Sequence, residues 1–185
     1  MNKDKLFILS GPSGAGEDTI IAELKKTIDL ERVITTTTRA MRVGESQGNP
    51  YYFISHEEFA KKIANDEFFE YAEEDNGNFY GVTKLEIDRA RNSGKLTIWK
   101  IDYQGVITAK KLIPSIKAIL IKAPFEMLAQ RIKKRDNASN EFIQERLKHA
   151  QGWIENEAIF DFIVENLDGK LAIAVEQVTN ILKND

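Results

Sequence analysis

The amino-acid sequence predicts an α/β protein built on a parallel sheet with crossover helices, on three observations. Short apolar runs alternate with amphipathic stretches along the 185 residues, the pattern of strands buried on both faces and of the helices that join them. A glycine-rich segment, Ser10 to Thr19, separates the first apolar run from the first amphipathic stretch, where such folds turn from strand to helix. The 42% apolar and 30% charged fractions are those of a globular protein, and a chain of this length buries roughly 70% of its unfolded surface without a staple.

Taken in order, Leu6–Leu9 is the first strand, four apolar residues that are too few for a signal peptide's apolar region or a membrane span. Thr19–Thr27 follows as a helix with Ile20, Ile21 and Leu24 on one face. Arg32–Thr37, rich in β-branched residues, reads as the second strand. Helical patterns at His56–Asn65 and Thr83–Asn92 come next, the second closed by Gly94. Leu96–Ile101 and Ile116–Ile121 are strands. Pro124 then opens a helix over Pro124–Arg135, in the position where its missing N–H costs nothing. A helix over Glu141–Ile154, a strand at Asp161–Val164 and a helix at Leu171–Leu182 complete the alternation. The irregular middle, Arg39 to Gly81, holds aromatic-rich pieces such as Tyr51-Tyr52-Phe53 and Phe68-Phe69-Glu70-Tyr71, read as short strands of a small insertion. No internal repeat, low-complexity tract or linker interrupts the chain.

Composition excludes several function classes. With 26 basic and 29 acidic residues the net charge is −3, unlike domains that bind polyanions through bulk charge, so no nucleic-acid partner is expected; a small anion in a local basic pocket remains allowed. The absence of cysteine excludes disulfides, thiolate metal sites and cysteine nucleophiles. With no apolar run near the length of a membrane helix, no membrane partner is expected and a cytoplasmic location is.

The segment Ser10-Gly11-Pro12-Ser13-Gly14-Ala15-Gly16-Glu17-Asp18-Thr19 has the context of a phosphate-cradling loop, in which small residues let backbone amides turn toward an anion at a helix N-terminus. Gly11 and Gly16 occupy the two glycine positions of G-x-x-x-x-G-K-[ST]. Position 17, however, is glutamate instead of lysine, and position 18 is aspartate instead of a hydroxyl residue, although Thr19 follows. On the loop alone, a ligand-free glycine turn and a phosphate site are both open.

Further on, Thr35-Thr36-Thr37-Thr38-Arg39-Ala40-Met41-Arg42-Val43-Gly44-Glu45, followed by Gly48 and Tyr51-Tyr52-Phe53, resembles the T-T-R-x-x-R-x-G-E signature of guanylate kinases. Glu67 to Ala72, Gly77 to Gly81, Ile101-Asp102-Tyr103-Gln104-Gly105, the arginines between Arg131 and Arg146, and Val164-Glu165-Asn166 extend the likeness in family order through the chain. The resemblance implies a P-loop NTPase-like parallel sheet core flanked by helices (1–34, 83–123 and 158–185), a small mixed-strand GMP-binding subdomain (about 35–82) and a helical lid (about 124–157). It also implies transfer of a phosphoryl group from ATP to GMP.

Through that resemblance Arg39 and Arg42, with Tyr51 and Tyr80, are the expected grip on the GMP phosphate, a task that suits the planar guanidinium fork. Glu70 and Asp102 match the family's guanine-reading acids, and a carboxylate can accept both the ring N–H and the amine of guanine. Thr35 stands where the family has a serine near the base. Val82 stands where it has a hydroxyl residue, so one hydroxyl is lost, and the neighbouring Thr83 points to the opposite face of extended chain. Gly11, Ser13, Gly14, Ala15, Gly16, Asp18 and Thr19 match the phosphate loop. Arg131, Arg135 and Arg146 match the lid arginines, and Asn166 matches the residue that meets adenine.

The donor side departs from the family. A lysine-to-glutamate change at 17 shifts the local charge by two units, and each unit pair at about 4 Å and an effective dielectric near 20 is worth on the order of 4 kcal/mol. Lys100 stands where the family has an acid that helps organise magnesium. The two changes are opposite in sign, so a reversed ion pair between Glu17 and Lys100 is expected. It would close the donor site; alternatively Lys100 lends its ammonium to nucleotide phosphates while Glu17 faces magnesium.

The expected function is therefore a guanylate kinase-like protein that binds GMP or a related guanine nucleotide, with phosphorylation weak or lost. The alternatives are an active kinase that uses Lys100 as replacement cation and a phosphopeptide-binding regulatory module. ATP and Mg2+ are cofactors if the chain is active and none is expected otherwise; no protein-ligated metal site is read from the sequence.

Overall fold

The computed structural model describes residues 5–73 and 77–184. Two five-stranded sheets organise it, and the crevice between them carries the polar residues singled out above.

The first sheet runs in the order β10-β9-β1-β8-β2, all parallel, from β1 (Leu6–Ser10), β2 (Leu30–Arg32), β8 (Leu96–Lys100), β9 (Lys117–Lys122) and β10 (Phe162–Glu165). Strand β1 is central and buried throughout, and its residues alternate between the two faces. Phe7 and Leu9 pack with Ile20 and Leu24 of α1 (Glu17–Leu24) and with Ala174 and Val178 of α7 (Leu171–Asn184). Leu6 and Ile8 pack with Ile87 of α3 (Lys84–Asn92) and Val106 of α4 (Tyr103–Leu112). This is why the strands read as unbroken apolar runs: helices cover both faces.

The second sheet runs β4-β5-β3-β7-β6 and is mixed, from β3 (Thr35–Thr37), β4 (Ser46–Gln47), β5 (Pro50–Phe53), β6 (Phe68–Glu73) and β7 (Phe79–Thr83). Strand β3 pairs parallel with β5 and antiparallel with β7. Helix α2 (His56–Ala64) lies beside this sheet, opened by a capping box of Ser55 and Glu58, and its Phe59 stacks on Phe68 with ring centroids 4.2 Å apart. Helices α5 (Phe125–Asp136) and α6 (Asn140–Glu155) pack on each other. The end of α6 is tied to the core where Trp153 Nε1 donates to Ser10 Oγ at 2.9 Å.

Two elements differ from the sequence expectation. The strand expected over Arg32–Thr37 is two strands in different sheets, because Val33 and Ile34 carry the chain from one to the other. There, Val33 N–H still reaches Ile98 O, whereas Ile34 N–H donates to the buried Glu86 Oε1 at 2.8 Å. Helix α4 is absent from the sequence reading; Gly105 within it suggests a turn, but Asp102 caps the helix by accepting from Gly105 N–H at 2.7 Å.

Glu86 holds the chain where it passes from one sheet to the other. It also takes Arg89 Nε and Nη2 at 2.9 and 2.8 Å, and Arg89 goes on to Glu31 Oε2 and Arg32 O. Glu86→Ala leaves the Ile34 amide and the Arg89 guanidinium without this acceptor. Urea denaturation is expected to show a loss of about 1–3 kcal/mol, whereas a mutation at the exposed Leu85 beside it is expected to be near neutral.

Candidate functional site

A cleft of about 1150 Å³ opens at the C-terminal ends of the parallel strands and continues onto the second sheet, which is where open α/β sheets place their ligands. Its position follows from strand pairing. Leu9 of β1 lies opposite Lys100 of β8, so the glycine-rich loop after β1 and the residues Lys100 to Asp102 meet at one end of the sheet.

The loop is shaped by close approach. A Cβ on Gly11 would lie 2.5 Å from Ile121 O, and Gly16 takes φ 99° at the N-cap of α1, a conformation that favours glycine. Asn166, 5% exposed, donates from Nδ2 to Ala15 O at 2.7 Å and braces the loop from beneath. The sequence reading sets Asn166 toward adenine; in the structure its amide is committed to the loop backbone. Ala15 is likewise buried.

Glu17 turns inward. Its side chain is buried at 7% exposure, with Cδ 3.2 Å from where a Cβ of Gly11 would stand, and the amides of Gly16 and of Glu17 itself act on the carboxylate as donors. A carboxylate thus sits among the loop's amides. Burial raises its pKa from the ordinary 4.5, only partly offset by the Lys100 ammonium.

The expected attraction between Glu17 and Lys100 is present, whereas the direct ion-pair partner of Lys100 is Asp18. Lys100 Nζ donates to Asp18 Oδ2 at 2.5 Å, and Arg32 Nη1 donates to Asp18 Oδ1 at 3.1 Å. The reason is helical geometry: residues 17 and 18 point about 100° apart around α1, so Glu17 enters the loop while Asp18 faces the ends of β2 and β8. Against the cost of burial, Lys100 and Arg32 hold the Asp18 carboxyl below its usual range. Burial pulls the Lys100 pKa down, but Glu17 and Asp18 outweigh it and keep the ammonium charged. Thr19 lines the same end of the cleft.

On the second sheet, Thr35, Tyr51, Glu70 and Tyr80 line the cleft from four different strands, and the rings of Tyr51 and Tyr80 meet edge to face at 6.0 Å. The Arg39 guanidinium lies 5.4 Å from the Tyr51 ring centroid and is held in a fork by Glu45, with Nη2 to Oε1 at 2.9 Å and to Oε2 at 3.1 Å. Glu45 also accepts from the Arg42 amide at 2.8 Å. No role was read for Glu45 from the sequence, although Gly44 before it, with φ 87°, is the sign of a turn that folds residue 45 back onto residue 39. Two arginines and two phenols here make a wall that can receive an anion.

At the far side of that wall stand Glu70 and Asp102. Burial, then the neighbouring Asp102 charge, raises Glu70 to about 7; burial also raises Asp102, against the amides of Gly105 and Gln104. Such a pair can accept from adjacent N–H donors of a planar base. Val82, expected in this pocket, is fully buried against the first sheet's core. The hydroxyl of Thr83 accepts from Glu86 N–H at 3.2 Å and caps α3, so it does not stand in for the missing one.

Of the lid arginines, Arg131 is tied to the core through Gly14 O, Asn166 O and Asp168. Arg135 forms a fork with Asp136 at 2.8 and 2.7 Å and reaches Ser13 Oγ at 3.2 Å. Arg146 lies over the Phe142 ring at 4.9 Å. Asp136, held low chiefly by the Arg135 hydrogen bonds against some burial, also feels Arg42 and Arg146.

Comparison with known proteins points to one family. The family model for guanylate kinase matches residues 3–185. A guanylate kinase of Fusobacterium nucleatum is 35% identical over 185 residues, 100% of this chain and 98% of that protein, and one of Carboxydothermus hydrogenoformans is 39% identical over 175 residues, 94% of this chain and 85% of that protein. The crystal structure of guanylate kinase from Anaplasma phagocytophilum superposes with a TM-score of 0.76 at 30% identity, covering 96% of this chain and 84% of that one.

Glu17 carries a titration with a definite sign. Its folded-state pKa is raised, so the ionised carboxylate opposes folding; the cost is absent below about pH 4.5 and grows as pH rises through the raised value. Glu17→Gln is therefore expected to stabilise the protein in urea denaturation at about pH 8 and to have little effect at about pH 4.

Proposed function

The chain belongs to the guanylate kinase family, and from that premise we propose that it binds GMP or a related guanine nucleotide, while phosphoryl transfer from ATP is weak or lost. The observation that carries this is the carboxylate of Glu17 buried among the loop amides. Phosphoryl transfer is catalysed by positioning and by neutralising the transferring group; here the loop presents a carboxyl group in place of a cation, and the nearby Lys100 is held by Asp18.

The acceptor half supports the binding part of the proposal. Arg39, Arg42, Tyr51 and Tyr80 form the anion wall, with Thr35 beside it, and Glu70 and Asp102 stand within the same cleft at the base end. Guanine offers the N–H and amine pair that such carboxylates accept. Adenine lacks that pair. A second reading, an active kinase that uses Lys100 as its cation, is favoured by one observation, the charged ammonium lining the cleft.

A coupled assay with ATP, magnesium and GMP decides between the two. The unmodified protein is expected to turn over well below roughly 1 s⁻¹, and Glu17→Lys with Lys100→Asp to raise the rate by several powers of ten; turnover in the roughly 1–10³ s⁻¹ range without mutation would establish the active kinase. By calorimetry, Arg39→Ala is expected to weaken GMP binding by about 1.5–3 kcal/mol, as loss of a charged hydrogen-bonding partner does.

Glu70 gives base binding a pH dependence. To accept both guanine donors it must be ionised, and its pKa is about 7, so binding releases a proton at lower pH. Guanosine, which has no phosphate to titrate, is expected to bind more tightly as pH rises from about 6 to about 8, and the slope is expected to vanish in Glu70→Gln.

A further inference from the structure

Magnesium, which the family resemblance implies beside ATP, does not match the residues that would meet it. A hard divalent cation needs free oxygen ligands. Asp18 stands at the loop position of the usual hydroxyl, but one of its oxygens accepts from Lys100 and the other from Arg32. Glu17 is buried within the loop. The position of a second acid is Lys100 itself. Among the described residues no group of three or more histidine, aspartate or glutamate side chains is arranged to hold a metal ion.

From Arg42 of the anion wall onward, the same cleft carries cations in excess of their local partners. Arg42, Arg135 and Arg146 come from the loop after β3, from α5 and from α6, and all three act on one carboxylate, Asp136. Arg135 takes both of its oxygens. Among the described residues the guanidinium of Arg42 makes no ion pair, and that of Arg146 rests on an aromatic face. Lys100 lines the same cleft, close enough to Tyr51 for the two to interact electrostatically. One phosphate gripped by Arg39 and Arg42 leaves Lys100, Arg135 and Arg146 unused, and an anion that extends further would engage them.

We propose that Lys100, clamped on Asp18, is a resident cation in the place of a divalent metal, and that the cleft takes guanosine 5′-diphosphate or triphosphate as the free, metal-uncomplexed anion. The distal phosphates meet Lys100 and the cluster of Arg42, Arg135 and Arg146. This rests on the guanine-nucleotide reading above and names the ligand within it. Fixed ammonium and guanidinium groups pair best with an uncomplexed polyphosphate, because magnesium neutralises much of the charge they would meet. In this chain the metal competes with the protein for the ligand.

Isothermal calorimetry on the full chain tests it, with GMP and GDP each titrated in EDTA and again in millimolar magnesium. GDP is expected to bind at least about tenfold more tightly than GMP in EDTA, the effect of one further charge-assisted contact, and magnesium is expected to weaken GDP binding several-fold. Tighter GDP binding in magnesium overturns the proposal, as does GDP no tighter than GMP in EDTA. Failure of GMP and GDP alike to bind at millimolar concentration instead overturns the guanine-nucleotide reading. Lys100→Met is expected to bring GDP to within about threefold of GMP. Arg146→Gln, on a lid helix remote from the Asp18 pair, carries the same expectation should the lysine variant not fold, and retention of the full GDP preference by Arg146→Gln removes the arginine cluster from the site.

Discussion

The pairing of β1 with β8 is the constraint on which the rest of the site depends. Because the strands are parallel and in register from Leu6 with Thr97 to Leu9 with Lys100, the turn that leaves β1 and the residues that leave β8 emerge side by side at the same end of the sheet. Whatever charge stands at position 100 is therefore presented to the residues at 17 and 18. A cation there draws in a carboxylate, and helix α1 decides which one. Asp18 faces the strand ends and takes Lys100 and Arg32; Glu17 faces the loop and is buried with its own backbone amides as partners.

That division of labour gives the two carboxylates opposite energetic characters. Asp18 is ionised and bridged, and links α1 to the ends of β2 and β8 above the apolar contacts they share. Glu17 is costly when ionised, and the fold retains it where a phosphate-binding loop would present its amides to solvent and ligand. The remainder of the cleft is balanced similarly, with an internal carboxylate beside each group of arginines: Glu45 on Arg39, Asp136 on Arg135, Asp168 on Arg131. Each carboxylate keeps a guanidinium in place.

The two halves of the site differ in how legible they were. The residues expected on the acceptor side were named through the family resemblance, and the structure brings them to one cleft. Thr35, Tyr51, Glu70 and Tyr80 come together as the sheet order brings β3, β5, β6 and β7 side by side. The donor half was read less well. Opposite changes at 17 and 100 pointed to an ion pair, yet residue 18 made it, since one step along a helix turns a side chain by about 100°. What surrounds Asn166 and Val82 was not legible for a related reason: burial of a side chain depends on what packs beneath it. Asn166 meets the Ala15 carbonyl, and Val82 meets Ile87 and Trp99 of the core.

The sequence by itself determined the alternation of buried strands and amphipathic helices, the glycine-rich loop between the first strand and helix, the family, and the presence of an acid where a phosphate loop carries lysine. These are properties of residue type and local spacing, and they survive without knowledge of any distant contact. Only the tertiary structure decided that Val33 and Ile34 carry the chain between two sheets, that Lys100 and Arg32 share Asp18, that Glu17 lies inside the loop, and that Arg42, Arg135 and Arg146 face one carboxylate. Those outcomes depend on groups up to more than a hundred residues apart competing for the same partner, as Arg135 does in reaching Ser13 across 122 positions. Such competition is settled by distance and burial in the folded chain.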